Sequence, residues 1–328
     1  MARTAFVTGG TGFIGINLIE LLVSEGWQVT ALHRKTSDLT YLNRLPVTLK
    51  KGSVTDYHSL SKSLPENTDV VFHLAGDTNL WKKRNDAQFR TNVDGSRNMA
   101  KAAHEKGVPV FIHTSSTSAW GKMSGKTITE EVPQEGCNSW VNYEYTKWKS
   151  EQVVLKASGS DMKTVILNPA AVTGPYDKNN WGRLFFELKN NNIPGIPNGI
   201  LSVSHVREVV KAHLSAVDRG RPGERYILAG EDVKFSQLLG EIARISGMDN
   251  IPRPLPSILL KALAKLQELR ASITGTSPKM TQELVRMMTR NNVEYSSQKA
   301  IRELGYKVVP MKQSVRDCYN WLVEEGYL

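Results

Sequence analysis

The chain has 328 residues, 40% hydrophobic and 23% charged, with 42 basic against 32 acidic side chains for a net charge of +10. This is the make-up of a globular chain long enough for two packed units, and 25 glycines with 14 prolines exclude collagen-like and low-complexity classes. Two cysteines, Cys137 and Cys318, allow no disulfide scaffold and form no Cys-x-x-Cys pair, so no metal site is expected and a reducing, cytoplasmic setting is.

No stretch approaches the ~20 apolar residues of a membrane helix, and the apolar run near Met1 is too brief for a signal peptide, so no membrane partner is expected. The positive charge favours anionic ligands, but it is interleaved with acidic residues. Its densest cluster is Trp81-Lys82-Lys83-Arg84-Asn85-Asp86, and no helix-turn-helix or aromatic RNA-reading pattern accompanies it. A solvated basic surface with no nucleic-acid partner is the expectation.

The first half alternates β-branched runs with amphipathic stretches, the pattern of a doubly wound α/β fold with a parallel sheet. Ala5–Thr8 reads as the first strand, followed by a glycine turn and a helix from about Phe13 to Ser24, closed by Gly26. Further strands are expected at Gln28–Leu32, Val47–Leu49, Val70–Leu74, Val110–His113 and Thr164–Leu167. Helices are expected from about Ala87 to Glu105 and from Tyr143 to Lys156. After Pro169 the texture becomes loop-rich and then mainly helical, with Tyr226–Ala229 returning to the first sheet. Leu259–Ile273 forms an amphipathic helix behind Pro252, Pro254 and Pro256. The expected division is a dinucleotide-binding domain at 1–168 plus about 202–230, and a smaller, mostly helical C-terminal substrate domain at about 169–201 plus 231–328.

Thr8-Gly9-Gly10-Thr11-Gly12-Phe13-Ile14-Gly15 lies between the first strand and first helix, where a Rossmann fold binds pyrophosphate. Gly9 permits the tight turn, Gly12 lets backbone approach phosphate, and Gly15 lets helix pack on strand, while the helix start offers free N–H groups to the anion. After the second strand the chain reads His33-Arg34-Lys35, where a carboxylate would have bonded ribose hydroxyls. Arg34 there suits a ribose 2′-phosphate. Tyr143 and Lys147 stand one helical turn apart, as do Tyr145 with Lys149 and Tyr295 with Lys299, so the Tyr-x-x-x-Lys spacing alone does not choose among them. Thr114–Ser118 ends the fifth strand at the ligand-binding edge of the sheet.

Taken in order, these motifs resemble the extended short-chain dehydrogenase/reductases of the NAD-dependent epimerase/dehydratase superfamily. They resemble most the dihydroflavonol reductase-like branch that also holds bacterial aldehyde reductases. The resemblance covers nearly the whole chain through Thr8–Gly15, His73-Leu74-Ala75-Gly76, Asn92-Val93-Asp94-Gly95, Thr114–Gly121, Tyr143–Lys147 with Glu151, Asn168-Pro169 to Gly174-Pro175, and the closing Glu303–Tyr306 and Trp321-Leu322. It implies Ser116, Tyr143 and Lys147 as catalytic residues. Cofactor contacts are implied from Gly9, Gly12, Phe13, Ile14, Gly15, Arg34, Lys35, Ser53, Val54, Leu74, Ala75, Gly76, Asn92, Tyr143, Lys147, Asn168 and Pro169. Asn168-Pro169 stands where most sugar epimerases have Arg-Pro. Ser53 replaces a frequent acidic residue at the adenine edge, and Thr40 and Tyr41 stand where plant reductases carry a second basic residue.

The resulting expectation is an NADPH-dependent reductase of an aldehyde or ketone, monomeric or homodimeric, with NAD as the alternative cofactor. Tyr143 would donate a proton to the carbonyl oxygen, Ser116 would hold that oxygen, and Lys147 would lower the phenol's pKa. Trp81, Trp120 and Trp181 fall in loops at the carboxyl edge and are expected to line an apolar substrate cleft. The alternatives are a nucleotide-sugar epimerase or dehydratase, which shares nearly every residue, and a non-catalytic dinucleotide-binding sensor or scaffold.

Overall fold

The structure is a computed structural model and describes residues 2–121, 123, 125–249, 251–289 and 293–328. In chain order its first half comprises β1 (Thr4–Thr8), α1 (Phe13–Ser24), β2 (Gln28–His33), β3 (Thr48–Lys51), α2 (Tyr57–Ser63), β4 (Val70–His73), α3 (Asn85–Phe89), α4 (Gly95–Glu105), β5 (Val110–Thr114), β6 (Lys126–Ile128) and α5 (Asn142–Ala157). The second half runs β7 (Lys163–Pro169), β8 (Ala171–Thr173), α6 (Arg183–Lys189), β9 (Ile200–His205), α7 (Val206–Arg219), β10 (Arg225–Leu228), β11 (Glu231–Lys234), α8 (Phe235–Ile245), α9 (Ser257–Thr274), α10 (Gln282–Met288), β12 (Val293–Tyr295), α11 (Gln298–Leu304) and α12 (Met311–Glu324).

Seven strands form one parallel sheet in the order β10-β7-β5-β4-β1-β2-β3. The order reverses between β1 and β4, and the crevice beyond their carboxyl ends is where such sheets bind ligands. β4 is buried at all four positions, as a central strand covered by helices on both faces requires. One face packs Leu18, Ile19 and Leu22 of α1 and Val209, Val210 and Ala216 of α7. The other packs Leu60 of α2, Met99 and Ala103 of α4, and Val154 of α5. The first apolar cluster continues without a break into α8 and α12.

The helix expected from Ala87 begins at Asn85 and is not uniform: Arg90–Asp94 form a π-helical turn between α3 and α4. β9, at the start of the segment expected in the first domain, instead joins the three-stranded sheet β11-β9-β8, whereas β10 does return beside β7. A two-stranded sheet pairs β12 with β6. α9 extends two residues beyond its expected start, with Pro256 at its N-cap and Gly275 closing it in the left-handed region at φ 72°.

Candidate active site

The glycine turn closes directly against β4. Gly9 adopts φ +74°, and a Cβ there would stand 2.6 Å from the Ala75 nitrogen, so the close approach to Leu74 and Ala75 admits glycine alone. A Cβ on Gly15 would fall 2.2 Å from the Gly9 carbonyl oxygen. Gly12 donates its N–H to that same oxygen at 3.0 Å and leads into α1. The amides of Phe13, Ile14 and Gly15 therefore start a helix with no carbonyl of their own to bond, and they offer three donors beside an exposed glycine backbone. This cradle, which any side chain would fill, fits a pyrophosphate.

At the end of β2, Arg34 and Lys35 are exposed. Arg34 is fixed at its backbone, donating its N–H to Ser37 Oγ at 3.0 Å and accepting the Ser37 N–H at 3.1 Å. A carboxylate that the sequence reading passed over, Asp38, lies in the same loop. It lines a crevice with Thr11, Gly12, Phe13, Tyr176 and Lys178. Hydrogen bonds from Thr40 hold its carboxyl below the usual range. Ser53 follows β3 and meets Thr55 Oγ1 through its hydroxyl at 2.9 Å. Val54 is buried against Gly95, where a Cβ would approach it to 2.7 Å.

At the end of β5, the Ser115 N–H donates to the Leu167 carbonyl at 2.7 Å and carries the chain into an extended Ser116. Ser116 caps a short 3-10 turn, its Oγ accepting the Ser118 N–H at 3.1 Å. The Tyr143 phenol, from the first turn of α5, lies near enough to the Ser116 hydroxyl for that group to favour its ionised form. One turn further along α5, Lys147 is buried and donates from Nζ to the Thr114 carbonyl at 3.0 Å. Gly76 keeps the space above it open: a Cβ there would stand 3.5 Å from Lys147 Nζ and 3.6 Å from Asn92 Oδ1.

Burial lowers the Lys147 ammonium to about 8, opposed by the Glu151 carboxylate. The phenol of Tyr143 is pushed up to about 12, chiefly by burial; the nearby Ser116 hydroxyl opposes this and the Asp77 carboxylate adds to it. This reverses the lowering expected from Lys147, because desolvation of the phenolate dominates. Tyr145, two residues on, turns to the opposite side of α5 and packs its ring at 6.4 Å from Phe89 and 6.0 Å from Trp148. Lys299, from the third Tyr-x-x-x-Lys register, donates to Glu224 Oε2 and the Arg225 carbonyl.

Two groups support this arrangement from below. Asn92 sits in the π-helical turn; its Oδ1 accepts the Asp77 N–H at 2.7 Å, and its Nδ2 donates to the Asp77 carbonyl and to Thr146 Oγ1. Glu151, fully buried, accepts from Ser115 Oγ and Asn168 Nδ2 on one oxygen and from Gln134 Nε2 and Arg225 Nε on the other. Asn168 also donates to the Ser116 carbonyl at 3.1 Å, tying β7 beside Pro169 to the serine turn, while its buried Oδ1 has no partner among the described residues. Asp77 went unnoticed in the sequence, although it directly follows Gly76.

Of the three tryptophans expected at the cleft, Trp120 departs from that expectation. Trp120 has no exposed surface; it is core, packed with Ile128, Ile227, Ala229 and Val293, and donates its indole N–H to the Val132 carbonyl at 2.8 Å. It therefore presents nothing to a cleft. Trp181 packs edge-on to Phe235, with its backbone N–H held by Asp177. Trp81 is part-exposed, with Lys83 Nζ 5.4 Å from its ring centroid.

A parallel doubly wound sheet, a glycine-rich turn at its switch point, and a Ser–Tyr–Lys cluster at its carboxyl edge define a dinucleotide-dependent enzyme class. Residues 5–229 match the NAD dependent epimerase/dehydratase family, and the chain belongs to it. Members are NAD(P)-dependent enzymes acting at CH–OH and carbonyl groups. The chain is 31% identical over 335 residues to "Putative dihydroflavonol 4-reductase" of Synechocystis sp., covering 100% of this chain and 97% of that one. It is 29% identical over 332 residues to "Sterol demethylase protein B" of Methylococcus capsulatus, covering 99% and 100%. Among solved structures, that of gox2253 superposes with a TM-score of 0.85 at 31% identity, covering 99% of both chains.

Proposed function

We propose that the chain is an NADPH-dependent reductase of an apolar aldehyde or ketone. The observation that carries this reading is the placing of Tyr143 beside Ser116 at the end of β5, with Lys147 one helical turn further along α5 and anchored on the Thr114 carbonyl. A carbonyl oxygen meeting that pair accepts hydrogen bonds from the serine hydroxyl and the phenol. The phenol, held near 12, keeps its proton at neutral pH and so has one to give. Lys147 reaches the open space over Gly76, beside Asn92, where it can hold ribose hydroxyls.

The dinucleotide's pyrophosphate fits the Gly9–Gly15 cradle, and the buried Asn168 Oδ1, without a partner among the described residues, can accept a hydrogen bond at the nicotinamide end. When bound, that cofactor supplies the hydride. Arg34, exposed and in no ion pair among the described residues, supports the phosphorylated form. Asn168 in place of arginine, and curated relatives named for a flavonoid reductase and a sterol-processing protein, favour an apolar carbonyl compound over a sugar nucleotide.

The test follows NADPH oxidation against a panel of aromatic aldehydes, steroid ketones and diketones, with nucleotide sugars as the opposing set. Turnover of an apolar carbonyl compound supports the reductase. Micromolar binding of a nucleotide sugar with no reduction across the panel would replace it with the epimerase reading.

A further inference from the structure

α9 was expected to be amphipathic, and it is, but with an apolar stripe facing outward. Its buried contacts come from Leu260, Ala264 and Ala271 only. At ~100° per residue these cluster on one side of the helix. Ile258, Leu259, Ala262, Leu266, Leu269 and Ile273 occupy a wedge about 100° wide on the opposite side. They are exposed: Ile258 73%, Leu266 64%, Leu269 60% and Ile273 81%.

The edges of this wedge are basic. Lys261 and Lys265 border it on one side and Arg270 on the other, all three exposed and in no ion pair among the described residues. Lys83 donates to the Ser272 carbonyl at 3.5 Å, adding the basic 82–84 segment on the lysine side. The one acidic residue of the helix, Glu268, points toward α10 and accepts from the Gln282 amide groups.

We propose that α9 docks the protein onto an anionic lipid bilayer, lying in the plane of the headgroups. An apolar wedge flanked by cations is the pattern of an interfacial helix, with leucine and isoleucine entering the acyl boundary while lysine and arginine meet lipid phosphate. The helix lies on the surface and does not cross, since no described helix is long and apolar enough to span. A second copy of the chain is a poorer occupant: two-fold pairing of the stripes brings Lys261, Lys265 and Arg270 against their own equivalents with no exposed carboxylate on the helix to meet them. The net charge of +10 has the same sign as the patch. The sequence expectation of no membrane partner rested on the lack of a spanning segment, which surface docking does not need. Docking is independent of which substrate the crevice accepts.

Flotation of the cofactor-free protein with vesicles tests this. Binding is expected to phosphatidylcholine vesicles containing about 30% phosphatidylglycerol, to be lost with phosphatidylcholine alone, and to weaken in high salt. Replacing Lys261, Lys265 and Arg270 together by glutamine should lower partitioning about a hundredfold. The double variant Leu266→Ser, Leu269→Ser should lower it at least about tenfold. Both variants should keep the wild-type thermal melt and NADPH affinity, because the side chains are exposed. The proposal fails if wild type stays unbound with the anionic vesicles. It fails if the leucine variant binds as wild type does, which would mean charge adsorption only. It fails too if light scattering shows a wild-type dimer that the leucine variant dissolves, which would assign the stripe to a second copy.

Discussion

Replacing Lys147 by methionine should stabilise the cofactor-free protein while removing its activity. Holding the ammonium near 8 instead of 10.5 costs the folded chain about 3 kcal/mol at neutral pH, at ~1.4 kcal/mol per pH unit. Methionine fills much the same space without that cost and forfeits only the hydrogen bond to the Thr114 carbonyl, about 1 kcal/mol. The net gain near pH 7 is about 2 kcal/mol. The pH dependence has a definite sign. Between about 8 and 10.5 the unfolded lysine holds a proton that the folded one has lost, so wild-type stability rises through this window relative to the variant. By about pH 10.5 the advantage is gone and the variant is the weaker by the lost hydrogen bond. Urea titrations of both proteins at neutral pH and near pH 10 measure this, with turnover assayed alongside. A variant destabilised at pH 7, or a difference constant across the two conditions, would refute the picture of a lysine kept at a cost for function.

Other outcomes follow from the same geometry. Arg34→Ser should weaken NADPH binding about tenfold to a hundredfold, the worth of one charge-assisted contact, and leave NADH affinity unchanged by fluorescence titration. Tyr143→Phe should remove most turnover with cofactor affinity nearly intact, whereas Tyr145→Phe, altering a ring packed on Phe89, should retain most of it; the reverse ranking would mean the helical register is misassigned. Glu151→Leu should cost at least about 3 kcal/mol in a chemical melt, because it strands Arg225, Asn168, Ser115 and Gln134. Gly15→Ala should abolish cofactor binding, since its methyl meets the Gly9 carbonyl at 2.2 Å; unchanged affinity would show that the turn relaxes freely.

What the sequence reveals most readily is what is local. The Thr8–Gly15 turn, β1, α1 and β4 each carry their signal within a dozen residues, as glycine spacing or an apolar run. The small sheets are different. β8 and β12 are three residues long, and their pairings, β8 with β9 and β12 with β6, are set by distant parts of the chain that a local pattern does not report. Trp120 shows the same limit at a single residue: its place in the sequence, just past the serine turn, suits a cleft, but the 3-10 turn of Thr117–Trp120 carries the ring inward to the Val132 carbonyl. For α9 the periodicity is readable while its polarity is not, because only one leucine and two alanines, Leu260, Ala264 and Ala271, are buried, while Ile258, Leu259, Leu266, Leu269 and Ile273 face out. Asp77 and Asp38 escaped notice for another reason: a lone aspartate in a loop has no pattern, and only folding brings one beside Tyr143 and the other beside Gly12.

The π-helical turn at Arg90–Asp94 bears on the length of the chain itself. Such a turn amounts to an α-helix holding one residue too many, and it shifts everything after it by about 100° around the axis. Around it Gln88, Asn92 and Ser96 make contacts in turn with the Asp77 and Asn79 carbonyls, Thr146 and His73. Removing a single residue, Thr91 for instance, would heal the helix into regular hydrogen bonding and rotate Asn92 out of the crevice. Helix regularity and the active site thus favour chains that differ in length by one amino acid, and this chain has the longer of the two.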